Sequence, residues 1–159
     1  MAHSADNKPR KQFGAIPVSR TSAGLLRILL VTSRQTRRWV IPKGWPMPGR
    51  TGAEVAAQEA FEEAGVRGRI AGSGKPVGVY AYVKRLTPSN TITCQVLVYQ
   101  LKVLRQLTDW PEQSQRERKW FDSAEAAAMV QERALADMLG RLAAGRPVGT
   151  PLLLQPEAT

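Results

Sequence analysis

Residues 42–66, PKGWPMPGRTGAEVAAQEAFEEAGV, change character halfway and so fix a loop and a helix in a single stretch. Pro42, Pro46 and Pro48 lack a backbone donor, and Gly44 and Gly49 tolerate conformations that other residues avoid, so the first half is a turn-rich loop. Thr51 and Glu54 then stand at capping-box spacing, and Gly65 follows as a C-terminal cap. At about 100° per residue, the alanines at 53, 56, 57, 60 and 64 cluster on one side, small enough to lie close against a sheet. Glu59, Glu62 and Glu63 fall on an adjacent side at i, i+3, i+4, on a face expected to be exposed.

Like charges at that spacing repel and weaken an isolated helix. A solvated acidic face is one reading. The other is a hard divalent cation that offsets the repulsion, because magnesium takes oxygen ligands, few of them carboxylates, and completes its shell with water and phosphate oxygens.

These residues resemble the Nudix box, G-x5-E-x7-R-E-U-x-E-E-x-G-U with U aliphatic. Gly44 opens it, Glu59, Glu62 and Glu63 occupy its helical glutamate positions, and Gly65-Val66 closes it. Arg50 stands where the family has its first glutamate, Gln58 where it has an arginine, and Ala60 is smaller than the usual aliphatic residue. The resemblance implies that Glu59 and Glu63 ligate magnesium (manganese being an alternative), with Glu62 a shared ligand or general base. A backbone carbonyl near Lys43-Gly44 would complete the shell. Glu63→Gln is expected to abolish turnover and to leave the fold intact.

With 159 residues, 43% of them apolar, the chain fits one domain with one core. No run of 18 apolar residues exists, so no membrane span is expected. The start, MAHSADNKPRKQ, does not read as a secretory signal. Cys94 is the only cysteine, which excludes an internal disulfide and reads as a small core residue. These features point to the cytoplasm. A net charge of +10 implies an anionic partner. The aromatics are scattered without the pattern of an RNA-recognition module, which favours a small phosphorylated polyanion over nucleic acid.

Residues 1–11 read as a basic tail with His3 inert in it, and 145–159 as a second tail. Between them the expected elements are strands at 12–20, 25–33, 39–41, 66–70, 77–86, 91–104 and 120–121, the pair before 104 forming an antiparallel hairpin. Helices are expected from Asp122 or Ser123 to about 131 and on to about 144, the second with an apolar stripe of Leu135, Met138, Leu139 and Leu142. A mixed sheet with the box helix on one side and the C-terminal helices on the other is the α/β/α sandwich that the Nudix resemblance implies over residues 12–144.

A second resemblance narrows the substrate. Asp109–Glu112, Arg116–Phe121 and Glu125-Ala126 are similar to a segment of the diphosphoinositol polyphosphate phosphohydrolases, which also cleave diadenosine polyphosphates. By position, that similarity assigns phosphate contacts to Arg20, Arg34, Arg116 or Arg118, and Lys43 or Arg50, and arginine's planar fork suits phosphate oxygens. Metal-assisted hydrolysis of a phosphoanhydride is the expected reaction. Nucleotide sugars, nucleoside triphosphates and 5′-triphosphorylated RNA stay open as substrates. So does a polyphosphate-sensing domain without catalysis, a role suggested by Arg50 and Gln58. The oligomeric state stays open, a homodimer being possible because the family is often dimeric.

Overall fold

The computed structural model describes residues 8–143. Of the expected tails, residues 1–7 and 145–159 lie outside the described region. Arg10 and Lys11 do not belong to a tail: they open β1 (Arg10–Arg20), which starts two residues before the expected strand.

β1 is the pivot of the sheet. It pairs antiparallel with β2 (Leu26–Thr32) through Val18↔Ile28 and parallel with β7 (Asn90–Gln106) from Arg10↔Cys94 to Val18↔Lys102. β2 takes β8 (Arg118–Asp122) on its other side and β3 (Trp39–Val40) at its far end. β7 is long enough to hold β6 (Gly78–Thr87) along its first half and β5 (Val66–Ile70) along its second. A two-residue strand, β4 (Lys43–Gly44), pairs with Phe13 and Gly14 of β1 inside the Pro/Gly loop. Its sequence is too short and too glycine-rich for strand periodicity to reveal it.

Ile28, Leu29, Leu30 and Val31 are all fully buried, as expected of a strand covered on both faces. Ile28 and Leu30 point into a layer with Ile16, Val96, Val98, Phe121 and the C-terminal helices. Leu29 and Val31 point the other way, against Ala56, Ala60 and Ala64 of α1 (Gly52–Ala64). The result is an α/β/α sandwich whose α1 layer is thin because its contact residues are alanines.

α2 (Ser123–Met129) ends two residues short of expectation, and Asp122 precedes it without a side-chain capping bond. α3 (Arg133–Ala143) buries Leu135, Met138, Leu139 and Leu142 in the core opposite α1.

Candidate active site

α1 is fixed at both ends. Thr51 Oγ1 accepts from the Glu54 amide at 3.1 Å, and Glu54 Oε1 accepts from the Thr51 amide at 2.8 Å, completing the capping box. Gly65 ends the helix in the left-handed region at φ 67°, its amide bonded to the Phe61 carbonyl. A side chain there would also collide with Arg118 and Trp110, so the position excludes other residues twice over.

Burial corrects the expected exposure of the glutamate face. Glu59 is only 9% exposed and Glu63 only 6%. Gly44 makes room for them: a Cβ at Gly44 would strike the Glu59 carboxylate. Desolvation, then the neighbouring Glu63, raises Glu59 from 4.5 to about 8. Burial likewise raises Glu63, against the opposing pull of Arg116 and Lys43. The two carboxyls hydrogen-bond to each other and so share a proton when no cation lies between them. Glu62 stands apart, its Oε2 accepting from Gln58 Nε2 at 2.7 Å. Among the described residues, no three acidic, His or Cys side chains converge as a ready-made cation cage.

The loop over 107–117 closes the site and is latched to the helix backbone. Trp110 Nε1 donates to the Glu63 carbonyl at 3.1 Å, and the Glu112 amide donates to the Glu62 carbonyl at 3.0 Å. This docking brings in Glu112, a carboxylate that raises both Glu59 and Glu63 further and for which sequence reasoning found no role. Its signal was an opposite-charge pair, Glu112 and Arg116, four residues apart in a segment with no helical pattern.

Two arginines expected to hold substrate do other work. Arg116 has an 8% exposed side chain, and its nitrogens reach Glu112 at 2.7 Å, the Thr32 carbonyl at 3.0 Å and Glu63 at 3.5 Å. It lies beneath the carboxylates and offsets their charge. Arg118 donates to the carbonyls of Ala64 (2.9 Å), Gly65 (3.4 Å) and Leu107 (2.7 Å) and stacks on Trp110 at 3.8 Å. A helix without a basic residue in its last turn thereby receives a cation at its negative end.

The other expected contacts divide by position. Lys43 lies beside Glu63 and over the Tyr82 ring at 5.0 Å; burial, above the effect of nearby Arg38 and Arg116, lowers its amine to about 8. Arg34 sits on the rim, donating to Gln115 at 3.1 Å, and Arg50 is exposed just before the helix. Arg20 is not at this site. It ends β1, six residues past Gly14, and so lies about 20 Å away along an extended strand. The basic residue that β1 does bring to this end is Arg10, 5.5 Å over Trp45 in the loop after β4. Gln12 accepts from the Tyr82 hydroxyl at 2.7 Å, which fixes the ring beneath Lys43.

The donor set suits a hard divalent cation. Glu59 and Glu63 are oxygen donors held together at a desolvation cost that a positive ion would relieve, and β4 lies against Glu59 with no side chain between. Glu62, next to Glu63 in the helix, is held away by its bond to Gln58.

Known proteins are similar to this chain in sequence and in fold. Residues 8–139 match the family model described as the NUDIX domain. Nudix hydrolase 12, mitochondrial, from Arabidopsis thaliana is 35% identical over 124 residues, 72% of this chain and 59% of that protein. Human diphosphoinositol polyphosphate phosphohydrolase 3-alpha is 31% identical over 106 residues, 65% of this chain and 59% of its own. The match therefore spans about three fifths of the length of these relatives. Among solved structures, a NUDIX hydrolase from Nitrosomonas europaea superposes with a TM-score of 0.65 at 19% identity, covering 95% of this chain and 98% of that one. An Ap4A hydrolase from C. elegans gives 0.59 at 17%, covering 87% and 98%. With the box helix, the sandwich and the family match in agreement over one region, this chain belongs to the NUDIX domain family.

Proposed function

We propose that the protein is a magnesium-dependent hydrolase of phosphoanhydride bonds, with diphosphoinositol polyphosphate or diadenosine polyphosphate as its substrate class. The observation that carries this reading is the buried Glu59–Glu63 pair backed by Gly44, two desolvated carboxylates that a cation would stabilise. Glu59 and Glu63 would hold the ion, with Glu62 as a further ligand or the general base. A bound divalent ion supplies Lewis acidity that makes water a better nucleophile and offsets charge on phosphate oxygens; manganese would serve the same end. Arg116 keeps the carboxylates oriented from below. Lys43 near Glu63, Arg10 over Trp45 and Arg34 beside Gln115 would fix the phosphate chain, since positioning and charge neutralisation dominate phosphoryl transfer.

The substrate class is supported by the similarity to the human phosphohydrolase. A competition screen of diphosphoinositol phosphates, diadenosine polyphosphates and nucleotide sugars with magnesium tests it. Preferential phosphate release from either of the first two supports the assignment, and preference for nucleotide sugars overturns it. The Gln58–Glu62 hydrogen bond favours a second reading, a polyphosphate-binding domain with weak catalysis, in which all substrates bind and none turns over. Residues 10–143, the span of the sheet and its helices, would form the catalytic unit. A cytoplasmic site is part of the proposal and rests on the lone, buried Cys94; recovery in an organelle fraction, as the mitochondrial naming of the Arabidopsis relative would suggest, refutes it. No helix among the described residues is long and apolar enough to cross a membrane.

A further inference from the structure

One ion pair in the fold is only half made. Arg38, immediately before β3, and Glu132, whose carbonyl accepts the Ala136 amide at the start of α3, meet through a single Nη2–Oε2 contact of 2.7 Å. Their side chains are 29% and 11% exposed. A guanidinium and a carboxylate can align two bonds in parallel. Here Arg38 Nη1 and Glu132 Oε1 flank the one bond, and both are sealed from solvent without a partner. Among the described residues, no other buried side-chain nitrogen or oxygen is left in that state.

Such a pair weakens the fold as it stands, because a buried ion pair offsets its desolvation only when its remaining protons and lone pairs are also bonded. Its neighbourhood is that of the acidic pair. The Lys43 amine feels the charge of Glu63 first and of Glu132 next, with Arg38 opposing them. The buried Tyr80 phenol feels Glu132, Arg38 and Glu63 as well. The free donor and the free acceptor also restrict what can meet them. A phosphate oxygen only accepts and would bring a like charge to Glu132, whereas an ammonium only donates and would bring one to Arg38. A group that both accepts and donates satisfies the two atoms at once: a sugar hydroxyl, or the edge of a nucleobase where an amino group adjoins a ring nitrogen.

We propose that Arg38 and Glu132 form a specificity subsite for the nucleoside part of the substrate, with Arg38 Nη1 donating to it and Glu132 Oε1 accepting from it. This rests on Glu59 and Glu63 being the hydrolytic centre, and it narrows the substrate class to dinucleoside polyphosphates. Arg38 keeps part of its side chain in solvent, so the pair lies at the border of the core, within reach of a ligand that opens it. A cyclitol phosphorylated at every position has no group of the required kind: it presents acceptors alone and is repelled by Glu132. Selection then comes from a buried donor and acceptor that only the right ligand completes, and sites of that kind discriminate most sharply.

The full chain is titrated calorimetrically in magnesium with α,β-methylene-ADP, whose one anhydride oxygen is replaced by a methylene, with its 2′,3′-dideoxy and 6-deamino analogues, and with inositol hexakisphosphate. Wild type should bind one of the two analogues about tenfold more weakly than the parent, a dideoxy loss identifying a ribose hydroxyl and a deamino loss a base edge. Glu132→Gln should bind α,β-methylene-ADP about tenfold more weakly and inositol hexakisphosphate more tightly, an opposite movement that a merely structural role would not produce. The proposal is overturned if both analogues match the parent on wild type, a comparison that needs no variant to fold. It is also overturned if Glu132→Gln shifts both ligands the same way or leaves either unchanged, which would assign the free atoms to a buried water. Absence of turnover on every phosphoanhydride, with this binding pattern intact, would uphold the subsite and refute the hydrolase reading alone.

Discussion

Cation binding at the Glu59–Glu63 pair should be coupled to the release of a proton, with a size that the geometry fixes. Burial and mutual repulsion hold Glu59 near 8, so a cation entering at neutral pH must displace a proton. On a simple titration, about a tenth of the pair is fully ionised at pH 7 and about a hundredth at pH 6. Magnesium affinity should rise about tenfold from pH 6 to pH 7 and level off above about pH 9. Lys43, lowered to about 8, loses its charge over the upper part of that range and reinforces the rise. Isothermal titration in two buffers of different ionisation heat should count close to one proton released per ion at pH 6.5. Metal-free stability should run the opposite way. The folded state holds a proton that the unfolded state gives up above 4.5, so this contribution is complete below 4.5 and is lost as pH rises through 8. The slope is at most about 1.4 kcal/mol per pH unit. A magnesium affinity that stays flat from pH 6 to pH 9 would refute the shared-proton pair and, with it, the closeness of the two carboxylates.

Gly44→Ala should push Glu59 out of its place, costing about 1–3 kcal/mol in thermal unfolding and most of the turnover; wild-type activity in the folded variant would dissociate Gly44 from the site. Arg118→Ala strips three carbonyls of a charged donor and should cost about 3 kcal/mol by urea unfolding, with Arg118→Lys recovering only part of it. Glu63→Gln should lose turnover while also removing the charge of one of buried Arg116's two carboxylate partners, so its melting temperature should change, contrary to the neutrality expected of an exposed position.

The order of elements was legible because its signals are local. Periodicity, caps and turn residues placed α1, the β6–β7 hairpin and the stripe of α3 within a few residues. The sandwich followed from the box resemblance. What escaped depends on who faces whom. Alanine spacing told which side of α1 meets the sheet, but the burial of Glu59 and Glu63 comes from β4 and the 107–117 loop, which close over the adjacent side. The arginines show the same limit. Arg116 and Arg118 looked alike in sequence and opposite in role to what they became, because each found a nearer acceptor: a carboxylate pair for one, a helix end for the other. Arg20 was placed by chain order, whereas strand direction carries it to the far edge and leaves Arg10 at the near one.

The lid over the acidic pair grips helix carbonyls through Trp110 and the Glu112 amide, and of the helix side chains it pairs with Glu63, through Arg116. Apart from Glu63, such a clasp is blind to what chemistry the helix displays. Glu59, Glu62 and Gln58 can therefore be rewritten as a set, toward other ions or toward none, while the enclosure above them stays assembled, which makes this scaffold divisible into a fixed frame and an exchangeable reactive face.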